Sequence, residues 1–164
     1  MYRNEVDLRR IRETAESYYR NGEFLCSEAV VKTIRDEFGL NLPDEVVGMA
    51  SGFPVGIGGA GCSCGAVVGG VMALGMACGR TQAKDPQVKR TMALARELHD
   101  FFQQKHTVVC CRALTAGKDM GSPARKAQCI AFTGEVAEEA ARLIARELGL
   151  KTAQDAAKSC ASVV

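Results

Sequence analysis

The chain has 164 residues, 47% apolar and 24% charged, with a formal net charge of +2. That length and balance suit one helical domain, residues 1–164, with a core of its own, and they exclude the basic field that a nucleic-acid surface requires. Aromatic residues make up only 5% and Trp is absent, so the core must be packed from Ala, Val, Leu, Ile, Met and Gly.

The first helix is expected over about Glu5 to Arg20, where Leu8, Ile11, Ala15 and Tyr18 recur at spacings of three and four. Asn21-Gly22 ends it. A second helix is expected from about Cys26 to Phe38, with Cys26, Val30, Ile34 and Phe38 in one row and Gly39 as its stop. Pro43, followed by Asp44 and Glu45, opens a short third helix. From Val46 to Gly79 no residue is charged, and Gly48 to Gly79 holds 11 of the 17 glycines. Only Ala66 to Cys78 is continuously apolar, too short to cross about 30 Å of hydrocarbon, so a buried helix from Cys64 to about Cys78 is expected and not a membrane span. Its glycines Gly61, Gly65 and Gly69, flanked by Ala66, Gly70, Ala73 and Ala77, form a small-residue stripe that lets another backbone approach. Asp85-Pro86 starts a long helix whose inward row is expected to be Val88, Met92, Ala95, Leu98 and Phe102. Ser122-Pro123 starts another, to about Leu148, with Ile130, Gly134, Ala137, Ala141, Ile144 and Leu148 inward. Thr152 and Asp155 read as a capping box for a last short helix. No strand-period segment competes. The prediction is all-α, a single-domain helical bundle around the central Gly/Ala-rich apolar helix.

Sulfur is the candidate chemistry. Eight cysteines are present, and Met1 to Asp7 shows no apolar signal stretch. The expectation is therefore a cytoplasmic protein in which the cysteines are thiols, metal ligands or redox couples. Cys62-Ser63-Cys64 lies where the glycine-rich loop turns into the apolar helix, and a helix N-terminus favours the thiolate. On that ground the Cys64 pKa is expected below about 8.5, with Cys62 as its partner. Cys110 and Cys111 are adjacent, with Cα atoms about 3.8 Å apart. A disulfide between them would be strained, since about 4.4–6.8 Å is usual; the alternative is that one points into a site and the other away. Cys26 and Cys129 fall on inward helical positions and are expected to join Cys64 and at least one of Cys110 and Cys111 within about 8 Å of a common centre, as a disulfide or a cluster requires. Cys78 and Cys160 read as bystanders. His106 precedes Cys110 by four residues, so a continuing helix would place both on one face and allow a mixed zinc site. The glycine loop lacks the Gly-Lys-Ser/Thr of a phosphate cradle.

The order Cys26, then Gly61-Cys62-Ser63-Cys64-Gly65-Ala66-Val67-Val68-Gly69, then Cys110/Cys111, then Cys129 resembles the C_GCAxxG_C_C family. Cys26-Ser27-Glu28-Ala29-Val30, Ser51-Gly52-Phe53 and Val71-Met72-Ala73-Leu74-Gly75 agree as flanks, so the resemblance covers about residues 18–143. The named pattern reads Gly-Cys-Ala-x-x-Gly, whereas Cys64 here is followed by Gly65-Ala66-Val67-Val68-Gly69. The family comprises small helical proteins, mostly of anaerobes, described as redox-active. The resemblance thus implies redox use of Cys62, Cys64, Cys110 and Cys111, by dithiol–disulfide cycling or electron transfer, with a redox protein as partner. Cys26, Cys64, Cys110, Cys111 and Cys129 equally suit an iron–sulfur cluster or zinc. A third reading, a helical interaction module with inert cysteines, would associate through its glycine-rich face, for instance as a homodimer.

Overall fold

The computed structural model describes residues 5–153. Seven helices occupy this span: α1 (Leu8–Arg20), α2 (Cys26–Glu37), α3 (Glu45–Gly48), α4 (Gly65–Cys78), α5 (Gln87–His106), α6 (Cys111–Leu114) and α7 (Pro123–Leu148). Two short strands, β1 (Glu5–Val6) and β2 (Lys151–Thr152), pair in parallel, Glu5 opposite Lys151 and Val6 opposite Thr152. The architecture is all-α apart from this clasp.

Caps explain where the long helices begin. The Asp7 carboxylate accepts the Arg10 N–H at 3.0 Å, so α1 starts at Leu8 and not at Glu5. Glu5 and Val6 are thereby released to the strand that periodicity did not reveal. Thr152 correspondingly sits in β2 and caps no helix; Asp155 and Cys160 lie outside the described residues. Ser122 caps α7 with Pro123 at the first position, as expected, and Gly149 closes it in the left-handed conformation.

α4 packs against α2, α5 and α7. Its small residues make that closeness feasible: a methyl on Gly69 would lie 2.7 Å from the Ser27 carbonyl of α2, and one on Gly70 would lie 2.6 Å from both Leu98 of α5 and Val136 of α7. Around it Leu8, Ile11, Val30, Ile34, Phe38, Leu74, Leu98, Phe102 and Ile144 form the core with almost no exposure. The row through Val30, Ile34 and Phe38 is as the sequence predicts. The α5 row is as predicted at Leu98 and Phe102, but Met92 is exposed and Leu94 is buried with them instead. No helix among the described residues is long and apolar enough to cross a membrane.

Candidate functional site

Between α4 and the loop before it, the residues from Val55 to Gly59 all have positive φ, from 57° to 87°. This is one turn of left-handed helix, closed by the Ile57 N–H donating to the Phe53 carbonyl at 2.9 Å. Val55 and Ile57 are β-branched, for which this conformation is strained. Gly56 is obligatory for space as well, since a methyl there would meet the Cys62 nitrogen at 2.6 Å and the Cys111 Cβ at 2.7 Å. The turn then hands the chain to Cys62-Ser63-Cys64, and Ser63 forms an antiparallel bridge with Cys110. Cys64 donates its N–H to Val109, and Cys111 donates to Cys62. Two cysteine-bearing segments, distant in sequence, are thus locked side by side.

This local geometry divides the cysteines. Cys64, 6% exposed, caps α4, and Cys111, 8% exposed, begins α6; both line a cavity of about 380 Å³. Cys26 at the start of α2 and Cys129 of α7, each half-buried, line the same cavity. Cys62 and Cys110 are exposed on the outer side of the two paired segments, where the Cys110 thiol donates to the Gly61 carbonyl at 3.3 Å. The adjacent Cys110 and Cys111 therefore face opposite environments, as one of the sequence alternatives required. Cys78 is buried but does not line the cavity.

The remaining wall comes from Tyr19 of α1, Leu25, Val55, Met120, Arg125, Lys126 and Phe132. Burial dominates the thiol chemistry. It pushes Cys26 up to about 12, with the neighbouring Cys64 adding to the rise and the N–H groups of Val55 and Ser27 opposing it. Burial likewise raises Cys64 to about 11, against the N–H groups of Ala66 and Val67 at the helix start. The expected depression of the Cys64 pKa is therefore reversed: the helix N-terminus acts in the predicted direction but desolvation outweighs it. Cys111 and Cys129 are also raised by burial; Arg125 opposes the shift at Cys111, and a hydrogen bond from the Tyr19 hydroxyl opposes it at Cys129. The resting cavity holds protonated thiols.

His106 does not join them. α5 ends there because Thr107 turns to φ 71°, so His106 and Cys110 share no helical face. The imidazole instead packs beside Phe102 and Phe132 and pairs with Glu135 at 2.7 Å. Among the described residues no group of three or more His, Cys, Asp or Glu is arranged to hold a metal ion. Of the five cysteines expected to suit zinc or a cluster, Cys26, Cys64, Cys111 and Cys129 line the cavity, and Cys110 faces away from them.

The family model described as "Putative redox-active protein (C_GCAxxG_C_C)" matches residues 24–143. The chain belongs to the C_GCAxxG_C_C family. That matched span carries every residue of the cavity wall except Tyr19 and Gly22. No curated protein and no solved structure matches the chain. Periodicity and cysteine order did not point to Tyr19, Arg125 or Lys126. Arg125 and Cys129 stand at i and i+4 on α7, which is the signal that places them on one face; Tyr19 is hidden in the sequence by Tyr18, which fits the apolar row better.

Proposed function

We propose that this protein performs dithiol–disulfide redox chemistry with the inner cysteines, Cys26, Cys64, Cys111 and Cys129. The observation carrying this reading is that four thiols from four separate segments line one cavity, in the order the family's pattern gives its cysteines. Two of them, once oxidised, form a disulfide by releasing two electrons and two protons to an oxidant, a partner's disulfide in the simplest case; reduction reverses this. Burial that keeps the resting thiols protonated also protects them from indiscriminate oxidation, since the thiolate is the reactive form. Cys62 and Cys110, on the solvent side of the same segments, are placed to exchange with a redox protein too large to enter the cavity. A cytoplasmic location suits thiols that cycle.

The test is anaerobic purification, followed by a thiol count before and after mild oxidation, disulfide mapping by mass spectrometry, and iron, zinc and sulfide analysis. The expected result is loss of two thiols per chain with a disulfide mapped among Cys26, Cys64, Cys111 and Cys129. A brown protein with stoichiometric iron and sulfide, bleached by Cys64→Ser, would replace this reading with a metal centre.

A further inference from the structure

The cavity's polar lining is lopsided. Arg125 and Lys126 line it, and no Asp or Glu does. Lys118 adds a third positive charge acting on Cys129. Both lining cations lie in the first turn of α7, which contains no acidic residue. A helix N-terminus already carries positive potential and disfavours cations. Two cations placed there, with no acid in the same turn, work against the stability of the free protein, and an incoming anion relieves them.

The rest of the wall is apolar. Leu25 is 46% exposed and Met120 67%, at the rim, while Val55 and Phe132 extend the apolar surface inward. The volume of about 380 Å³ falls at the lower end of small-molecule sites. Positive rim, apolar wall and thiol floor together describe a ligand with a carboxylate, an apolar body and a thiol-reactive centre.

We infer that the cavity binds and reduces a low-molecular-weight organic disulfide bearing a carboxylate, held by Arg125 and Lys126 and reacting with Cys111 and Cys64. This rests on the dithiol reading above. Arg125 lies against Cys111, so the substrate's carboxylate is anchored beside the attacking sulfur and the cation favours its thiolate. Cys111 loses its proton and attacks one sulfur of the substrate, breaking its S–S bond and releasing one thiolate, which takes up that proton. Cys64, on the paired segment, loses its proton and attacks the Cys111 sulfur of the mixed disulfide. That releases the second thiol and leaves Cys64–Cys111 oxidised. The substrate gains two electrons and two protons, and the protein supplies both.

The experiment uses reduced full-length protein with Cys62, Cys110 and Cys160 changed to Ser, which leaves the four cavity thiols and Cys78. Three disulfide probes of different charge are compared: the dianionic 5,5′-dithiobis(2-nitrobenzoate), the neutral 4,4′-dithiodipyridine and the dicationic cystamine. Rates are referred to those of a free thiol, and the Cys64–Cys111 bond is mapped by mass spectrometry. The expected result is a preference of at least about tenfold for the anion over the cation. Arg125→Gln with Lys126→Gln should bring the anion-to-cation ratio to about one, with the neutral probe slowed as well because the charge that favours the Cys111 thiolate is gone, and Arg125→Lys should restore part of the ratio. Binding of 4-nitrobenzoate, which no thiol attacks, should weaken in parallel. Cavity disulfide formation with equal rates for all three probes would overturn the anionic substrate and leave the dithiol reading intact. Absence of a cavity disulfide with every probe would overturn both.

Discussion

Cys62 and Cys64 are two residues apart, and Cys110 and Cys111 are neighbours, yet each pair is split between solvent and interior. Beside the Ser63–Cys110 bridge, extended backbone sends the successive side chains of Cys110 and Cys111 to opposite sides; Cys62 and Cys64, two residues apart, part because Cys64 is the cap at which the chain turns into α4. The comparison teaches that reach and protection are assigned to different sulfurs. Cys62 and Cys110 are accessible to a macromolecule, whereas Cys64 and Cys111 sit where burial suppresses their thiolates.

The most severe way to break this contrast is Gly65→Val. Even a methyl at this position would lie 2.5 Å from the Cys26 sulfur and 3.0 Å from the Phe53 carbonyl. Overpacking of this kind costs about 1–3 kcal/mol per site, and the larger side chain should reach the upper end in urea denaturation. Cys26 and Cys64 should then label as fast as Cys62. High pH comes next. Burial raises Cys64 from 9.0 to about 11 and Cys26 to about 12. The folded state thus holds its protons above the pH at which the unfolded chain releases them. The stabilisation is complete below about pH 9 and is lost as pH rises from 9 toward 11–12, amounting to about 3 kcal/mol for Cys64 alone. Melting temperatures measured across that window should fall, and less steeply in Cys64→Ala.

A third, smaller effect concerns rates at neutral pH. Iodoacetamide should modify Cys62 and Cys110 at least about tenfold faster than the four cavity thiols, because the outer pair is exposed while burial suppresses the thiolates of the inner four; uniform labelling would erase the distinction. The smallest effect is expected from Tyr19→Phe. It removes the hydroxyl that donates to Cys129, a bond worth about 0.5–1.5 kcal/mol. Alkylation of Cys129 at pH 9 should slow by about two- to fivefold, with the outer pair unaffected.

Much of this molecule was legible because helical periodicity is a global signal. Val30, Ile34 and Phe38 repeat over three turns, and no short error can hide them. Met92 was placed inward because the α5 sequence offers apolar residues on two adjoining lines, and only docking against α4 and α7 selects Leu94. β1 and β2 are two residues long and depend on a partner about 146 positions away, so no local pattern reveals them. At the site, cysteine order singled out Cys26, Cys64, Cys111 and Cys129, which line one cavity. Their ionisation depends on desolvation by Val55, Phe132 and the rest of the wall, which assembles only in three dimensions. A helix N-terminus is visible in sequence; the burial that outweighs it is not.

The left-handed turn at Val55 to Gly59 bears on how the cavity opens. Holding Val55 and Ile57 at φ 57° and 63° costs about 1–2 kcal/mol for each. That energy is returned whenever the segment lets go, so this wall is separated from an open form by less free energy than the helices around it. Fluctuation will begin beside Cys26, giving a solute a doorway that leaves α2, α4 and α7 in place. Amide exchange at Ile57 and Ala60, whose hydrogen bonds close the turn, reads that opening directly and should run ahead of exchange in α4.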